Sequence, residues 1–256
     1  MLQDHPAVTL SEADGVRYLH LDSVWIQGAM RIRQPQFVEL DYVQRMLASL
    51  LWLPSDRLGA GRAVQLGLGA GAITRFTHQR LRMDTTAVEL NPQVVAVCRQ
   101  WFRLPAEDAR LHVVEMDAGR WLRERAEPAS VQLLHVDLYD REAAAPVLDD
   151  EPFYAACRAA LEDGGVMSVN LFGRDASFAR SAARIAAVFG AEQTWSLRPT
   201  REGNTVVVAG RGVAMPDRGQ WLRRAALIED RFGADGLPAR KWVRIVRPWT
   251  ASEVLA

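Results

Sequence analysis

Ala63-Val64-Gln65-Leu66-Gly67-Leu68-Gly69-Ala70-Gly71, then an apolar-periodic segment, then Thr85-Thr86-Ala87-Val88-Glu89, is the stretch that decides the fold. A short apolar strand runs into a glycine-rich turn, a helix follows, and a second strand ends on a carboxylate about 20 residues further on. That is the order of a nucleotide-binding βαβ unit. Gly67, Gly69 and Gly71 let the backbone turn tightly and approach a ligand, with a helix N-terminus behind them. Glu89, at the end of the second strand, is placed to accept hydrogen bonds from two ribose hydroxyls.

Downstream, strands and helices keep alternating. Asn91 and Pro92 read as N-cap and first residue of a helix whose buried face is Val94, Val95, Val97, Cys98, Trp101 and Phe102. Leu111–Val114 is a third strand, followed by Met116-Asp117-Ala118-Gly119 and a short helix containing Trp121. Val131–Val136 is a fourth strand running into Asp137-Leu138-Tyr139-Asp140. A helix from near Pro152 is expected to end at Gly164-Gly165, before a fifth strand over Val166–Leu171. Another helix over Ala176–Phe189, antiparallel strands at Gln193–Leu197 and Thr205–Ala209, and a last helix near Gln220–Ile228 complete the pattern. This alternation predicts an α/β fold with a mostly parallel, doubly wound sheet and an antiparallel C-terminal end.

Upstream, the region from about Val8 to Arg33 reads as a β-meander, with Tyr18–Leu21 and Val24–Ile26 as strands and Gly28 as a breaker. Pro35 opens a helical segment in which Phe37, Leu40, Val43, Met46, Leu47, Leu50 and Leu51 recur at helical spacing. The chain divides into a small N-terminal β-meander over 1–34 and a Rossmann-like domain over 35–256.

With 256 residues, 49% of them hydrophobic, the chain can bury a full core. Its zero formal net charge offers no field to nucleic acid or to an anionic membrane. Cys98 and Cys157 read as buried thiols of a reducing compartment. With no cationic-apolar leader and no membrane-length apolar run, the expectation is a cytoplasmic protein. No residue spacing suggests a metal site or an acyl-transfer nucleophile.

In such sheets ligands bind outside the carboxyl ends of the strands, where this chain places Glu89, Asp117 and Asp137, with Asp140 close behind. Asp117 suits the exocyclic amino group of an adenine. Asp137 and Asp140, beyond the nucleotide, suit a cationic group or a proton taken from an amine, and such neighbours should raise each other's pKa. Asp149-Asp150-Glu151 reads as a helix start with Asp150 as N-cap, and Arg141–Asp149 as a lid. His135 reads as a structural core histidine, while Tyr139 either offers its hydroxyl to the acceptor or packs under the lid.

At this point the sequence resembles the spermidine synthase (polyamine aminopropyltransferase) family, over almost its whole length. The resemblance is carried by Gly67-Leu68-Gly69-Ala70-Gly71, Val88-Glu89-Leu90-Asn91, Met116-Asp117-Ala118 and, most specifically, Val136-Asp137-Leu138-Tyr139-Asp140. Pro152-Phe153-Tyr154 and Leu161-Glu162-Asp163-Gly164-Gly165 follow in register. It implies a class I methyltransferase-like fold behind a small β-domain, a homodimer, and transfer of the aminopropyl group of decarboxylated S-adenosylmethionine to an amine. Asp137 would be the base, Asp140 would hold the acceptor, and Gln27 would reach the nucleotide.

The sequence also departs from that pattern. The turn aspartate that holds the aminopropyl amine in the family is Ala70 here, so turn amides could receive the carboxylate of intact S-adenosylmethionine. The amine-pocket tyrosine and its neighbour correspond to Glu39 and Leu40, and a later tyrosine to Arg201. Tyr139, Glu39 and Arg201 are therefore the candidate acceptor contacts. An S-adenosylmethionine-dependent methyltransferase and a non-catalytic nucleotide-binding protein remain open beside aminopropyl transfer. Trp242 and Trp249, in a tail that reads as exposed, are candidates for the dimer surface.

Overall fold

The computed structural model describes residues 5–138, 148–172 and 176–250. The chain opens with an antiparallel three-stranded sheet of β1 (Val8–Ala13), β2 (Val16–Leu21) and β3 (Gly28–Arg31). Helix α1 (Asp41–Met46) follows and tightens into 3₁₀ turns over Leu47–Trp52. The alternating body runs β4 (Arg62–Leu66), α2 (Ala72–Arg75), β5 (Asp84–Glu89), α3 (Pro92–Trp101), β6 (Leu111–Glu115), α4 (Ala118–Glu124) and β7 (Val131–Val136). It continues as α5 (Glu151–Ala160), β8 (Leu161–Phe172), α6 (Ala176–Phe189), β9 (Thr194–Leu197), β10 (Asn204–Gly210), α7 (Arg218–Phe232), α8 (Ala239–Trp242) and β11 (Val246–Pro248).

Among the described residues the large sheet has the order β11-β9-β10-β8-β7-β4-β5-β6. Strands β8, β7, β4, β5 and β6 are parallel, and β10, β9 and β11 close one edge in antiparallel pairs. From β4 the chain builds outward to β6, then returns to the other side of β4 as β7. That reversal opens a crevice at the carboxyl ends of β4 and β7, where ligands of open α/β sheets bind.

One face of the sheet packs under Trp52, Phe76, Trp221 and Phe232, with Trp52 set against Trp195 and Trp221 at ring-centroid distances of 5.1 and 4.9 Å. The other face is covered by Phe153, Tyr154 and Cys157 of α5 with Ala182 and Ile185 of α6. A third cluster joins Leu19 and Met30 of the small sheet to Leu68 and Ala70 of the glycine turn and to Val94, Val95 and Cys98 of α3. The small sheet is thereby fastened onto the turn. At Gly28, the first residue of β3, an added Cβ would lie 2.5 Å from the backbone nitrogen of Ala70, so a side chain there would push sheet and turn apart.

The helix starts follow local chemistry. Asn91 accepts from the Gln93 amide at 3.0 Å with Pro92 just inside, and Asp150 accepts from Phe153 at 2.8 Å. Asp149 is also structural, accepting from the hydroxyls of Tyr154 and Ser181 and pairing with Arg184 across to α6. Cys98 and Cys157 are free, buried thiols. Among the described residues no helix is long and apolar enough to cross a membrane.

Four expectations are corrected. Val24–Ile26 is not a strand: Asp22 takes a φ of 46°, the next residues swing outward, and β2 pairs instead with the segment that Gly28 begins. The helix expected from Pro35 starts only at Asp41, because the Val38 amide donates to Asp235 and the Val38 carbonyl accepts from the Gln44 side chain. Gly164-Gly165 does not end a helix but lies inside β8, where Gly164 donates to the Arg211 carbonyl and Gly165 accepts from the Arg211 amide. Trp242 is not a surface residue: it is 1% exposed in the same cluster as Trp52, and Trp249 is half-buried against the α5–α6 face.

The burial of Trp242 predicts a large cost on truncation. Trp242→Ala should lower the unfolding free energy by about 3–5 kcal/mol, read from the urea midpoint at unchanged slope. A loss under about 1 kcal/mol would place this segment outside the core.

Candidate active site

The crevice holds a cavity of about 310 Å³ lined by Gln27, Gly67, Gly69, Glu89, Asp117 and Ala118, with Asp137 at one end. Six of the seven residues expected to hold the nucleotide therefore meet here. Gly71 is not on the wall; it sits behind the turn as the left-handed first cap of α2. Asn91 and Met116 join the lining from the same motifs, while His5 and Leu148 come from segments with no motif to announce them.

Glu89 is positioned by backbone. Its Oε2 accepts from the Leu68 amide at 2.9 Å and its Oε1 from the Asn91 amide at 2.9 Å, tying the carboxylate to the glycine turn and to the start of α3. Burial pushes its pKa up, and the amide donors pull it back. Each oxygen keeps a lone pair for a hydroxyl donor. Asp117 caps α4 by accepting from the Arg120 amide at 2.7 Å and lines the same cavity.

Asp137 follows β7 directly, and its placement is rigid. Its amide donates to the Leu66 carbonyl at 2.9 Å, and its own carbonyl oxygen lies 2.1 Å from where a Cβ of Gly67 would be. Gly67, at a φ of 86°, is thus required both for its backbone angle and for this approach. The carboxylate accepts from Asn170 Nδ2 on Oδ1 at 2.9 Å and from the Tyr42 hydroxyl on Oδ2 at 3.2 Å. Burial raises its pKa while those two donors lower it. Burial is the largest of these causes, and Asp140, the neighbour expected to raise this pKa, lies outside the described residues.

A second cavity, about 280 Å³, opens on the other side of Asp137. Its walls are Val24, Trp25, Ile26, Leu40 and Phe172, with Trp25 edge-on to Phe172 at 5.7 Å, and its polar groups are Tyr42, Asp137, Asn170, Glu202 and Asn204. Gln27 and Asp137 line both cavities, and Gln27 carries a buried Nε2 without a hydrogen-bond partner. Between them a cavity of about 20 Å³ is bounded by Gln27, Gly28, Ala70 and Asp137. Gly28 packs closely against Ala70, leaving no room for a side chain at position 28.

The acceptor candidates fare less well. Glu39 pairs with Arg31 at 2.6 Å and lines neither large cavity; it joins β3 to the chain leading into α1. Arg201 stands on an exposed turn, and its neighbour Glu202 is the residue that faces the cavity. Tyr139, Asp140 and most of the expected lid lie outside the described residues. His135 is structural as expected, with Nδ1 2.8 Å from the Ser168 hydroxyl and a pKa pushed down to about 3 by burial.

Sequence reasoning missed Tyr42, Asn170, Glu202 and Asn204. Tyr42 had a signal, being the one tyrosine in an apolar helical run. Asn170 and Asn204 are brought in by the pairing of β8 with β10, and Glu202 by the turn just before β10, which leaves no local pattern.

Comparison with known proteins agrees with this arrangement. The spermine/spermidine synthase domain model matches residues 67–201. The polyamine aminopropyltransferase of Chromobacterium violaceum is 32% identical over 234 residues, covering 90% of this chain and 86% of that protein. The structure of a probable spermidine synthase from Corynebacterium glutamicum superposes with a TM-score of 0.72 at 19% identity, covering 94% of this chain and 90% of the other. Human methyltransferase-like protein 13, solved with SAH, superposes at 0.63 and 20% identity, over 85% and 98%. At such identities the two structures speak for the fold: an α/β methyltransferase-like sheet behind a small antiparallel one. The matched domain and the relative together place this chain in the spermine/spermidine synthase family of transferases.

Proposed function

We propose that this protein transfers the aminopropyl group of decarboxylated S-adenosylmethionine to an amine, with Asp137 as the base. The observation that carries the reading is the electrostatics of the second cavity. It meets the nucleotide cavity at Asp137, it holds two carboxylates in Asp137 and Glu202, and no Arg or Lys lines it among the described residues. Such a cavity repels an anionic acceptor and suits an ammonium, while its aromatic and aliphatic walls suit methylene groups.

The nucleoside would lie along the glycine turn, with its ribose on Glu89 and its adenine near Asp117. The sulfonium makes the adjacent carbon electrophilic and supplies a neutral thioether leaving group. An acceptor nitrogen in the second cavity attacks that carbon, the C–N bond forms as the C–S bond breaks, and the nitrogen's proton passes to Asp137. Most of the acceleration would come from holding donor and acceptor in line on the two sides of Asp137. Tyr42 and Asn170 keep the carboxylate oriented and ionised, and Gln27 offers its unpartnered amide at the junction.

Ala70 favours a second reading, a methyltransferase using intact S-adenosylmethionine, because the turn carries no acid to repel the cofactor carboxylate. Against it, the described lining of the two cavities that share Asp137 supplies no arginine or lysine for that carboxylate.

The reading is tested by incubating the protein with decarboxylated S-adenosylmethionine and a panel of mono- and diamines while following release of methylthioadenosine. Asp137→Asn should lower kcat/KM by about 10²–10⁴-fold with nucleotide affinity retained. Undiminished turnover in that variant would remove Asp137 as base.

The pH profile gives a second check. A base must be ionised, and burial raises the Asp137 pKa, so activity should fall on acidification at a pH above the ordinary aspartate range. Tyr42→Phe removes a donor to the carboxylate and should move that limb to higher pH. A limb that stays in place would assign it to another group.

A further inference from the structure

Three adjacent strands of the large sheet feed one polar side chain each into a hydrogen-bonded row. Asn204, the first residue of β10, donates from Nδ2 to Asn170 Oδ1 at 3.1 Å, and Asn170 on β8 donates from Nδ2 to Asp137 Oδ1 at 2.9 Å. The register makes the row: Asn204 sits opposite Phe172, two residues beyond Asn170 on the same face of β8. Asp137 continues the same order from β7, which runs parallel to β8.

A carboxamide has a direction, because one end donates and the other only accepts. With Asn204 supplying a donor, Asn170 turns its oxygen to Asn204 and its nitrogen to Asp137. The reversed amide would set two acceptor oxygens against each other at the base and two donors against each other at Asn204. The backbone of Asn204 is held, since its main-chain N–H donates to Thr200 Oγ1 at 3.1 Å and its main-chain carbonyl accepts from the Thr200 N–H at 2.7 Å, with Thr200 buried.

We propose that Asn204 is a positioning residue: acting through Asn170, it fixes which end of that amide meets Asp137 and so keeps the carboxylate an acceptor at the junction of the two cavities. The proposal rests on the reading of Asp137 as the base. Asn204 also lines the acceptor cavity, where the oxygen of its amide matches an ammonium donor. A bound acceptor would therefore strengthen the direction that the row already has.

Several other titratable groups surround Asp137 among the described residues. Tyr42 donates to it from α1, and Glu202 stands across the acceptor cavity. Glu89, Asp117 and His5 line the nucleotide cavity, and His135 lies two residues back on the same face of β7. The decisive variants therefore change no charge.

The test follows the carboxyl-carbon NMR signal of Asp137, assigned by its loss in Asp137→Asn, through a pH titration of the free protein. The parent is compared with Asn204→Leu, Asn170→Ala and the double variant. Asn204→Leu removes the donor that anchors the Asn170 oxygen, loosens the hold of the Asn170 nitrogen on Asp137, and should raise the Asp137 midpoint by about half to one pH unit. Asn170→Ala should raise it at least as far, and the double variant should match Asn170→Ala alone, because Asn204 acts only through Asn170. Asn204→Ala makes the same prediction should the leucine not fold. A midpoint unmoved by the Asn204 variants, or a double shift equal to the sum of the singles, overturns the proposal. Because this readout needs no turnover, its failure is separate from that of the base assignment, which Asp137→Asn decides by kinetics.

Discussion

The site depends on one backbone contact. The amide of Asp137 bonds to the carbonyl of Leu66, and the carbonyl of Asp137 presses into the space left by the missing side chain of Gly67. This joins the ends of β4 and β7, the two strands between which the chain reverses its direction of growth. The nucleotide turn and the acid that would work on its ligand are thereby one rigid unit. A side chain at position 67 would meet both a forbidden φ and a carbonyl oxygen, so the glycine serves the active centre as much as the turn.

From that joint the other parts follow. The small sheet is laid on the turn through Gly28 against Ala70, which brings Gln27 to the boundary between the two cavities that share Asp137. Helix α1 lowers Tyr42 onto Asp137, and the antiparallel edge of the sheet delivers Asn170, Asn204 and Glu202. Burial raises the pKa of Asp137 above that of a surface aspartate, and its two donors act against that rise. With Asp137 as the proposed base, the balance of those effects would set the pH at which the site works.

The nucleotide half of this arrangement is legible in the sequence because its parts are neighbours along the chain. The glycine turn, Glu89 at a strand end and the Asn91-Pro92 helix start are local motifs, and local chemistry places them. The acceptor half depends on contacts between distant segments. Asn170 and Asn204 lie 34 positions apart and meet only through strand pairing. Glu39 has a plausible spacing, yet Arg31 captures it, and Tyr42 supplies the hydroxyl from one helical turn onward. The run Val24–Ile26 has the composition of a strand but no edge to pair with, and it becomes the apolar lip of the acceptor cavity. Trp242 reads as a tail residue because nothing in its neighbourhood shows that α7 and α8 fold back over Trp52.

The most direct test of the account is a side-by-side calorimetric titration with decarboxylated and intact S-adenosylmethionine. The described walls of the two cavities that share Asp137 carry Glu89, Asp117, Asp137 and Glu202 without a lysine or arginine. A ligand carboxylate would be buried there without a partner, whereas an aminopropyl ammonium would meet Asp137. The account therefore predicts tighter binding of the decarboxylated form. Tighter binding of the intact cofactor would contradict it and assign the crevice to methyl transfer.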